Sequence, residues 1–473
     1  MSRADKDLLS IQEARILVEN ARNAQFLVKD YKQSYLDKII NQLLENITME
    51  LAHFIDMEVN ETKRGSIKDK EWLLTHFLSQ LEKELSNQQC IGELLKDSAG
   101  NILKVGVPLG VIVVFPSENN VILNTLYSIV IGIKSGNSII VIPDNEAYHT
   151  TIHVVNSVKN ICEKYGLPVG CITCLESISE SGILEIVTHK NTSMIISAGK
   201  INNTTNTQKP IIYGGTGGTP AFIEHTANVS DAVQSVIDSR SLDNGMLPGS
   251  EQYLIVEQSI ASEVKQQLQQ KGAHFLSEEE EHQLLNLLQP KDNGINPICV
   301  GKNAYELAEL AHFSIEDNTS VLVSEKHYVH ELDPFVNEMK CPVIAFYLEP
   351  DWMHACEKSI RLLKEKNNGH TIAIHSNNLE VLNQFALKKP VGRMIVNSPS
   401  SLASMGINST LATSCLLGGL TTGKGISAKN ITASDLTYIR EISHSTQCIE
   451  HVNNVDEESH EKMLEEILRK ILA

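Results

Sequence analysis

Lys104-Val105-Gly106-Val107-Pro108-Leu109-Gly110-Val111-Ile112-Val113-Val114-Phe115 is the stretch on which the fold turns. Its last five residues are an unbroken apolar run, mostly β-branched. A strand covered on both faces has no polar side to show, so this run predicts a buried strand rather than a half-exposed one. A second run, Ser138-Ile139-Ile140-Val141-Ile142-Pro143, follows a helix predicted over residues 123–133. Next come a helix over 153–165, a strand at Cys171 and the strand Ser193-Met194-Ile195-Ile196-Ser197. Strands alternating with helical stretches of this length predict a parallel, doubly wound α/β sheet.

Upstream, the first ninety residues read as helices. Ile11, Ala14, Leu17, Val18 and Ala21 fall at helical spacing, as do Leu36, Ile39, Ile40, Leu43 and Leu44. Downstream of Asp243 the alternation restarts. Gln252-Tyr253-Leu254-Ile255-Val256 predicts a strand and 260–270 a helix, and the pattern continues through 304–311, 320–323, 343–347, 354–363 and 371–375. Three stretches are therefore expected. Residues 1–240 form a Rossmann-like domain with N-terminal helices, 241–424 a second α/β domain, and 425–473 a C-terminal return segment. In the last, Met463, Leu464, Ile467, Leu468, Ile471 and Leu472 make one apolar stripe, so 459–473 reads as an amphipathic helix that docks onto the body or onto a partner.

Composition narrows the classes. The 473 residues suffice for two or three domains, and a formal charge of -18 excludes a general affinity for nucleic acid or anionic lipid. The longest apolar stretch, 121–133, is interrupted by Asn124, Thr125 and Ser128 and is too short to span a bilayer. No secretory signal is read at Met1-Ser2-Arg3, and the nine cysteines lack a framework spacing, which suits a reducing cytoplasm. Cys171-Ile172-Thr173-Cys174 lies on a strand, where residues three apart point to opposite faces, so it reads as structural. No metal-ligand set is expected.

Two passages carry more. Ile211-Ile212-Tyr213-Gly214-Gly215-Thr216-Gly217-Gly218-Thr219-Pro220 and Asp243-Asn244-Gly245-Met246-Leu247-Pro248-Gly249-Ser250-Glu251-Gln252 resemble paired landmarks of the CoA-acylating aldehyde dehydrogenases. These include the aldehyde dehydrogenase half of the bifunctional aldehyde–alcohol dehydrogenases and the microcompartment acetaldehyde and propionaldehyde enzymes. Pro116-Ser117-Glu118-Asn119, Val300-Gly301-Lys302-Asn303-Ala304, the run Pro334 to Pro342, Gly369-His370-Thr371 and the run Gly392 to Ser400 follow in the family's order. The resemblance runs from about residue 10 to about residue 440. It implies the aldehyde dehydrogenase fold, with a β segment for oligomerisation near 100–106.

The family's chemistry needs a cysteine thiolate that attacks the aldehyde, a nicotinamide that takes hydride and CoA that takes the acyl group. Pro248 falls where the resemblance places that cysteine. It has no side-chain heteroatom and no backbone N–H, so an oxyanion donor goes with the nucleophile; one such donor supplies about 2.7–4 kcal/mol of transition-state stabilisation. Ser250 is a poor substitute without a base beside it, and Cys341 matches a structural position. Asn119 matches the oxyanion asparagine, though it reads equally as an ordinary loop residue in a segment one residue short.

For the cofactors NAD(P) and CoA, Gly199 and Lys200 fall at the phosphate turn, which is some three residues short here. Its Asn and Thr content disfavours the helix that should follow. Glu338 matches the residue that holds the nicotinamide ribose, or persists as a salt-bridged structural group. The expectation is a catalytically degenerate aldehyde dehydrogenase serving as a binding or structural subunit. It would be cytoplasmic or microcompartment-associated, as a homo-oligomer or with an active relative. The alternative is an active enzyme with a rearranged site, acting on small aldehydes and acyl-CoA.

Overall fold

The computed structural model describes residues 3–96, 102–198, 207–288, 295–330, 333–364, 369–443 and 457–472. Four helices lead: α1 (Arg3–Val28), α2 (Gln33–Thr48), α3 (Leu51–Thr62) and α4 (Ile67–Ser86). The stripes read from the sequence face inward, with Ala14, Val18 and Ala21 buried on α1 and Leu36, Ile39, Ile40, Leu43 and Leu44 on α2. Then come β1 (Gly92–Lys96), β2 (Ile102–Pro108), β3 (Val111–Phe115), α5 (Val121–Lys134), β4 (Ser138–Val141), α6 (Tyr148–Lys164), β5 (Ile172–Cys174), α7 (Glu180–Thr188), β6 (Thr192–Ser197) and β7 (Ile211–Tyr213). Strands β3 to β7 make a five-stranded parallel sheet in the order β5-β4-β3-β6-β7.

Strand β3 is central to it and wholly buried, as its composition requires. Ile112 and Val114 enter the core shared with α2, α4 and α5, while Val111, Val113 and Phe115 enter the core under α1. Alternate residues thus feed opposite cores, and burying each side chain contributes roughly 1.5–3 kcal/mol.

The second half contributes β8 (Thr219–Ile223), α8 (Val229–Ser241), β9 (Glu251–Glu257), α9 (Ala261–Gln270), β10 (Ala273–Phe275), α10 (Glu278–Leu288), α11 (Ala304–Ala311), β11 (Val321–Lys326), β12 (Val343–Glu349), α12 (Trp352–Lys364), β13 (Thr371–His375), α13 (Leu379–Lys388), β14 (Arg393–Val396) and α14 (Ser400–Ser404). Its seven strands are ordered β10-β11-β12-β9-β8-β13-β14, all parallel. The architecture is the expected α/β one, with two doubly wound sheets.

Two readings change. Thr219-Pro220, the end of the first landmark passage, opens β8. Pro220 is tolerated there because the β8–β9 register shifts between Thr219 and Pro220. Strand β8 lies inside 1–240 yet pairs in the larger sheet. The C-terminal return is a strand, β15 (Thr437–Ser443), antiparallel to β2, which with β1 makes a three-stranded ribbon. The amphipathic helix forms as α15 (Glu457–Leu472), its stripe only partly covered: Met463 is 62% exposed and Ile467 40%, while Ile471 and Leu472 line a surface cavity with Tyr31, Ile91 and Pro108. No helix among the described residues is long and apolar enough to cross a membrane.

One buried charge fastens the helical N-terminus to both sheets. Lys70 stands on α4 in phase with the apolar Leu73, Leu74, Phe77 and Leu81 and is buried with them. Its Nζ lies 2.9 Å from Glu58 Oε1 of α3 and 2.9 Å from Asp243 Oδ2, and donates to Asn120 Oδ1 at 2.9 Å and the Asn119 carbonyl at 3.3 Å. Burial pushes the ammonium down, but Asp243 and Glu58 together reverse this and hold its pKa above 10.5. The second oxygen of Glu58 accepts from Ile122 N–H at 3.1 Å, so a carboxylate caps α5, whose Asn120 makes no side-chain cap.

Replacing Lys70 with Met strands two carboxylates in the interior. A loss of about 3–5 kcal/mol in urea unfolding is expected; a loss under about 1 kcal/mol would show that the cluster does not hold the units together.

Candidate active site

The two sheets meet end to end. Ser117 and Asn119 follow β3, Ala198 follows β6 and Gly214 follows β7, all at carboxyl ends of the smaller sheet. Thr216 precedes β8, Pro248 precedes β9 and Glu338 precedes β12, all at amino ends of the larger one. These residues line one cleft, together with Met246, Lys340, Cys415 and Leu416. Pro248, Asn119 and Glu338, far apart in sequence, thus line the same cleft. Gly199 and Lys200 lie outside the described residues.

The loop that carries Pro248 is held tightly. Asp243 and Asn244 take left-handed φ of 48° and 54°, conformations that Asp and Asn adopt most readily after glycine. Asp243 Oδ1 accepts from Ser66 N–H at 3.0 Å, and Asn244 Nδ2 donates to the Gly301 carbonyl at 2.8 Å. Leu247-Pro248-Gly249-Ser250 is a turn closed by Ser250 N–H to the Leu247 carbonyl at 3.3 Å. Proline at its second position and Gly249 at φ 77° in the third are the pattern of a type II turn. The backbone therefore suits Pro248 and strains nothing.

The residues after it clamp the segment that carries Glu338. Gln252 Nε2 donates to the carbonyls of Phe335 and Asn337, both at 2.7 Å, and its Oε1 accepts from Met339 N–H at 2.8 Å. Buried Arg240 donates to the Met339 carbonyl at 2.6 Å and the Val343 carbonyl at 3.1 Å. Arg240 also reaches Ser250 Oγ at 3.4 Å, while Ser250 donates to the Ser239 carbonyl at 3.1 Å. Ser250 is buried, does not line the cleft, and has a guanidinium and a carbonyl for partners, neither of which is a general base.

Asn119 lines the cleft with its amide occupied. Nδ2 donates to Glu118 Oε1 at 3.2 Å and Ser117 Oγ at 3.5 Å, and Oδ1 accepts from Arg64 Nη1 at 3.3 Å. Glu338 is the opposite case: half-buried at the cleft, it makes no hydrogen bond or ion pair with a described residue. A structural salt bridge is therefore not what keeps it there.

The cleft does contain a thiol, Cys415, which nothing in the sequence pattern marked. It is 7% exposed and points at Asn124 Oδ1, 3.8 Å away, and the Leu123 carbonyl, 4.0 Å away. Burial pushes it far above the usual thiol range, leaving little thiolate at neutral pH. Cys341 is fully buried and pushed up to about 12, consistent with packing alone.

Behind the glycine turn lies His370, buried. A Cβ on Gly215 would meet the Leu417 carbonyl at 2.9 Å and the His370 Cβ at 3.0 Å, which is why glycine stands there. Burial first, then the neighbouring Arg393, pulls the imidazole down to about 4. The neutral ring donates from Nε2 to the Gly217 carbonyl at 3.1 Å and faces Thr371 Oγ1 from Nδ1 at 2.8 Å.

A nicotinamide nucleotide and CoA fit this cleft only in part. Glu338 offers an open carboxylate to a polar ligand. The cleft volume is about 60 Å³, below the roughly 300–1,000 Å³ of small-molecule sites.

Two parallel sheets joined end to end, with a cleft floored by a glycine turn and by the Asp243–Gln252 loop, define an aldehyde dehydrogenase fold. Residues 8–285 match the aldehyde dehydrogenase family model, and the chain belongs to that family. It is 28% identical over 418 residues to the bifunctional aldehyde-alcohol dehydrogenase AdhE of Escherichia coli, covering 86% of this chain and 47% of that protein. The chain thus spans about half the length of that curated relative. It is 24% identical over 439 residues to a succinate-semialdehyde dehydrogenase (acetylating) of Clostridium kluyveri, covering 92% and 96% of the two chains. A probable aldehyde dehydrogenase of Listeria monocytogenes superposes with TM-score 0.91 at 32% identity, over 95% of this chain and all of that one. An acetylating aldehyde dehydrogenase of Geobacillus thermoglucosidasius does so with TM-score 0.90 at 28% identity, over 94% and 98%.

The carboxyl of Glu251, at the start of β9, is fully buried, accepts from Ser400 N–H at 2.8 Å and is pushed by burial from 4.5 to about 8. The folded state therefore keeps a proton that the unfolded chain releases. Its contribution to stability is full below pH 4.5 and is lost as pH rises to about 8. Urea unfolding across that window should show Glu251→Gln gaining on the wild type by about 1.4 kcal/mol per pH unit; parallel profiles would contradict the assignment.

Proposed function

We propose that this chain is a non-catalytic member of the acylating aldehyde dehydrogenases, serving as a binding or structural subunit, alone as a homo-oligomer or together with an active relative. The observation that carries this reading is Pro248, a residue without a nucleophilic side-chain atom in the lining of the cleft. Other features point the same way. The Asn119 amide is spent on Glu118, Ser117 and Arg64, the cleft is small, and burial keeps Cys415 protonated. The intact frame around the cleft argues that the site's shape still has a use, and the open carboxylate of Glu338 argues for a polar ligand. Exposed Tyr438 and Ile439 on β15 suit assembly. A cytoplasmic or microcompartment-associated location belongs to the same proposal.

A second reading is an active NAD(P)-dependent acylating dehydrogenase with a rearranged site acting on small aldehydes. One observation favours it: Cys415 lines the same cleft.

The test is NADH formation from short aldehydes with CoA and NAD, alongside titrations of NADH and CoA. No aldehyde-dependent NADH is expected from the wild type. Turnover that Cys415→Ala abolishes would establish the second reading and overturn the first. Because Pro248 holds an ordinary turn position, Pro248→Cys should fold with a loss of only about 0.4–1 kcal/mol and gain a thiol that iodoacetamide alkylates. Failure of that variant to fold would show the proline to be structural rather than a simple replacement.

A further inference from the structure

The far end of the larger sheet carries a second cluster of chemistry that the cleft does not use. Strands β8 and β9 pair in register through Ile223 and Val256, so Glu224 and Glu257 emerge side by side at their carboxyl ends. His225 joins them. Its Nδ1 lies 2.8 Å from Glu224 Oε1 and 3.0 Å from both Glu257 oxygens. One ring hydrogen cannot serve three carboxylate oxygens, and Glu224 Oε1, on a fully buried residue, is left without a hydrogen bond of its own.

We infer that Glu224, His225 and Glu257 bind a first-row divalent cation, with Zn2+ as the fitting ion, at the end of the sheet opposite the cleft. The donor set is one imidazole nitrogen and carboxylates from two residues, with ligand atoms all within 4.8 Å of one another. Such an ion lies about 2.0–2.2 Å from its nitrogen and oxygen ligands, so it needs only a small parting of these side chains. The carboxylates are already aimed. Glu224 Oε2 accepts from Ser376 Oγ at 2.8 Å, from Thr226 N–H at 3.1 Å and from Thr226 Oγ1. Glu257 accepts from Ser259 Oγ at 3.2 Å and from His225 N–H at 3.3 Å. Supports of this kind orient metal ligands. His225 is exposed, which leaves the ion a path in and open positions for water. Glu257 stands 32 residues beyond His225 in sequence, which is why no spacing signalled the set. The role assigned is a brace across the carboxyl ends of β8 and β9.

The test is calorimetric titration of untagged, chelator-stripped protein with Zn2+ alone, on the wild type, His225→Ala and Glu257→Gln. One ion per chain is expected, with affinity falling at least tenfold in each variant. His225 is exposed, so its removal should leave the fold intact, which circular dichroism checks. No binding by the wild type, or binding unchanged in either variant, would overturn the proposal.

Discussion

The ammonium of Lys70 is the constraint on which the rest of this structure depends. A charge taken out of water is tolerated only when opposite charge and hydrogen bonds surround it. Here the surrounding groups come from three places: Glu58 on α3, the Asn119–Asn120 turn after β3, and Asp243 at the head of the Pro248 loop. One group thus fixes the helical N-terminus, the carboxyl end of the smaller sheet and the amino end of the larger one against each other. That junction is where the cleft lies. The same turn supplies Asn119, so the geometry of the cleft follows from the requirement to neutralise a lysine behind it.

The cleft combines a firmly held frame with a lining that has no nucleophilic atom at Pro248. Gln252 and Arg240 still clamp the segment bearing Glu338, and the glycine turn still packs on His370. Within that frame Pro248 offers no nucleophile and no N–H. The groups that hold shape and those that would act on a substrate are different residues here, and the former can persist without the latter. This separation is the physical basis of the proposed non-catalytic role.

Much of the fold was legible because burial leaves a clear trace. Strand β3 reads as covered on both faces since all five of its residues are apolar, and α2 shows its inward stripe. Strand β8 gives no clear strand signal because glycines run up to Gly218 just before it and Pro220 stands within it; the register shift against β9 lets proline stand in a buried strand. The stripe of α15 was legible, but whether another surface covers it is a tertiary fact. At the site, Pro248, Asn119 and Glu338 were legible through resemblance. Cys415 carried no local signal. Lys70 did carry one, a lysine in phase with an apolar stripe, which marks a buried ion pair. The cluster of Glu224, His225 and Glu257 arises from strand pairing and has no trace in linear spacing.

The central claim is that the cleft has no working nucleophile. Its most direct test is the intact mass of the protein after incubation with a short-chain acyl-CoA. An unchanged mass is expected, since neither Pro248 nor the buried thiol of Cys415 accepts an acyl group. A stoichiometric acyl adduct on any residue of the cleft would contradict it.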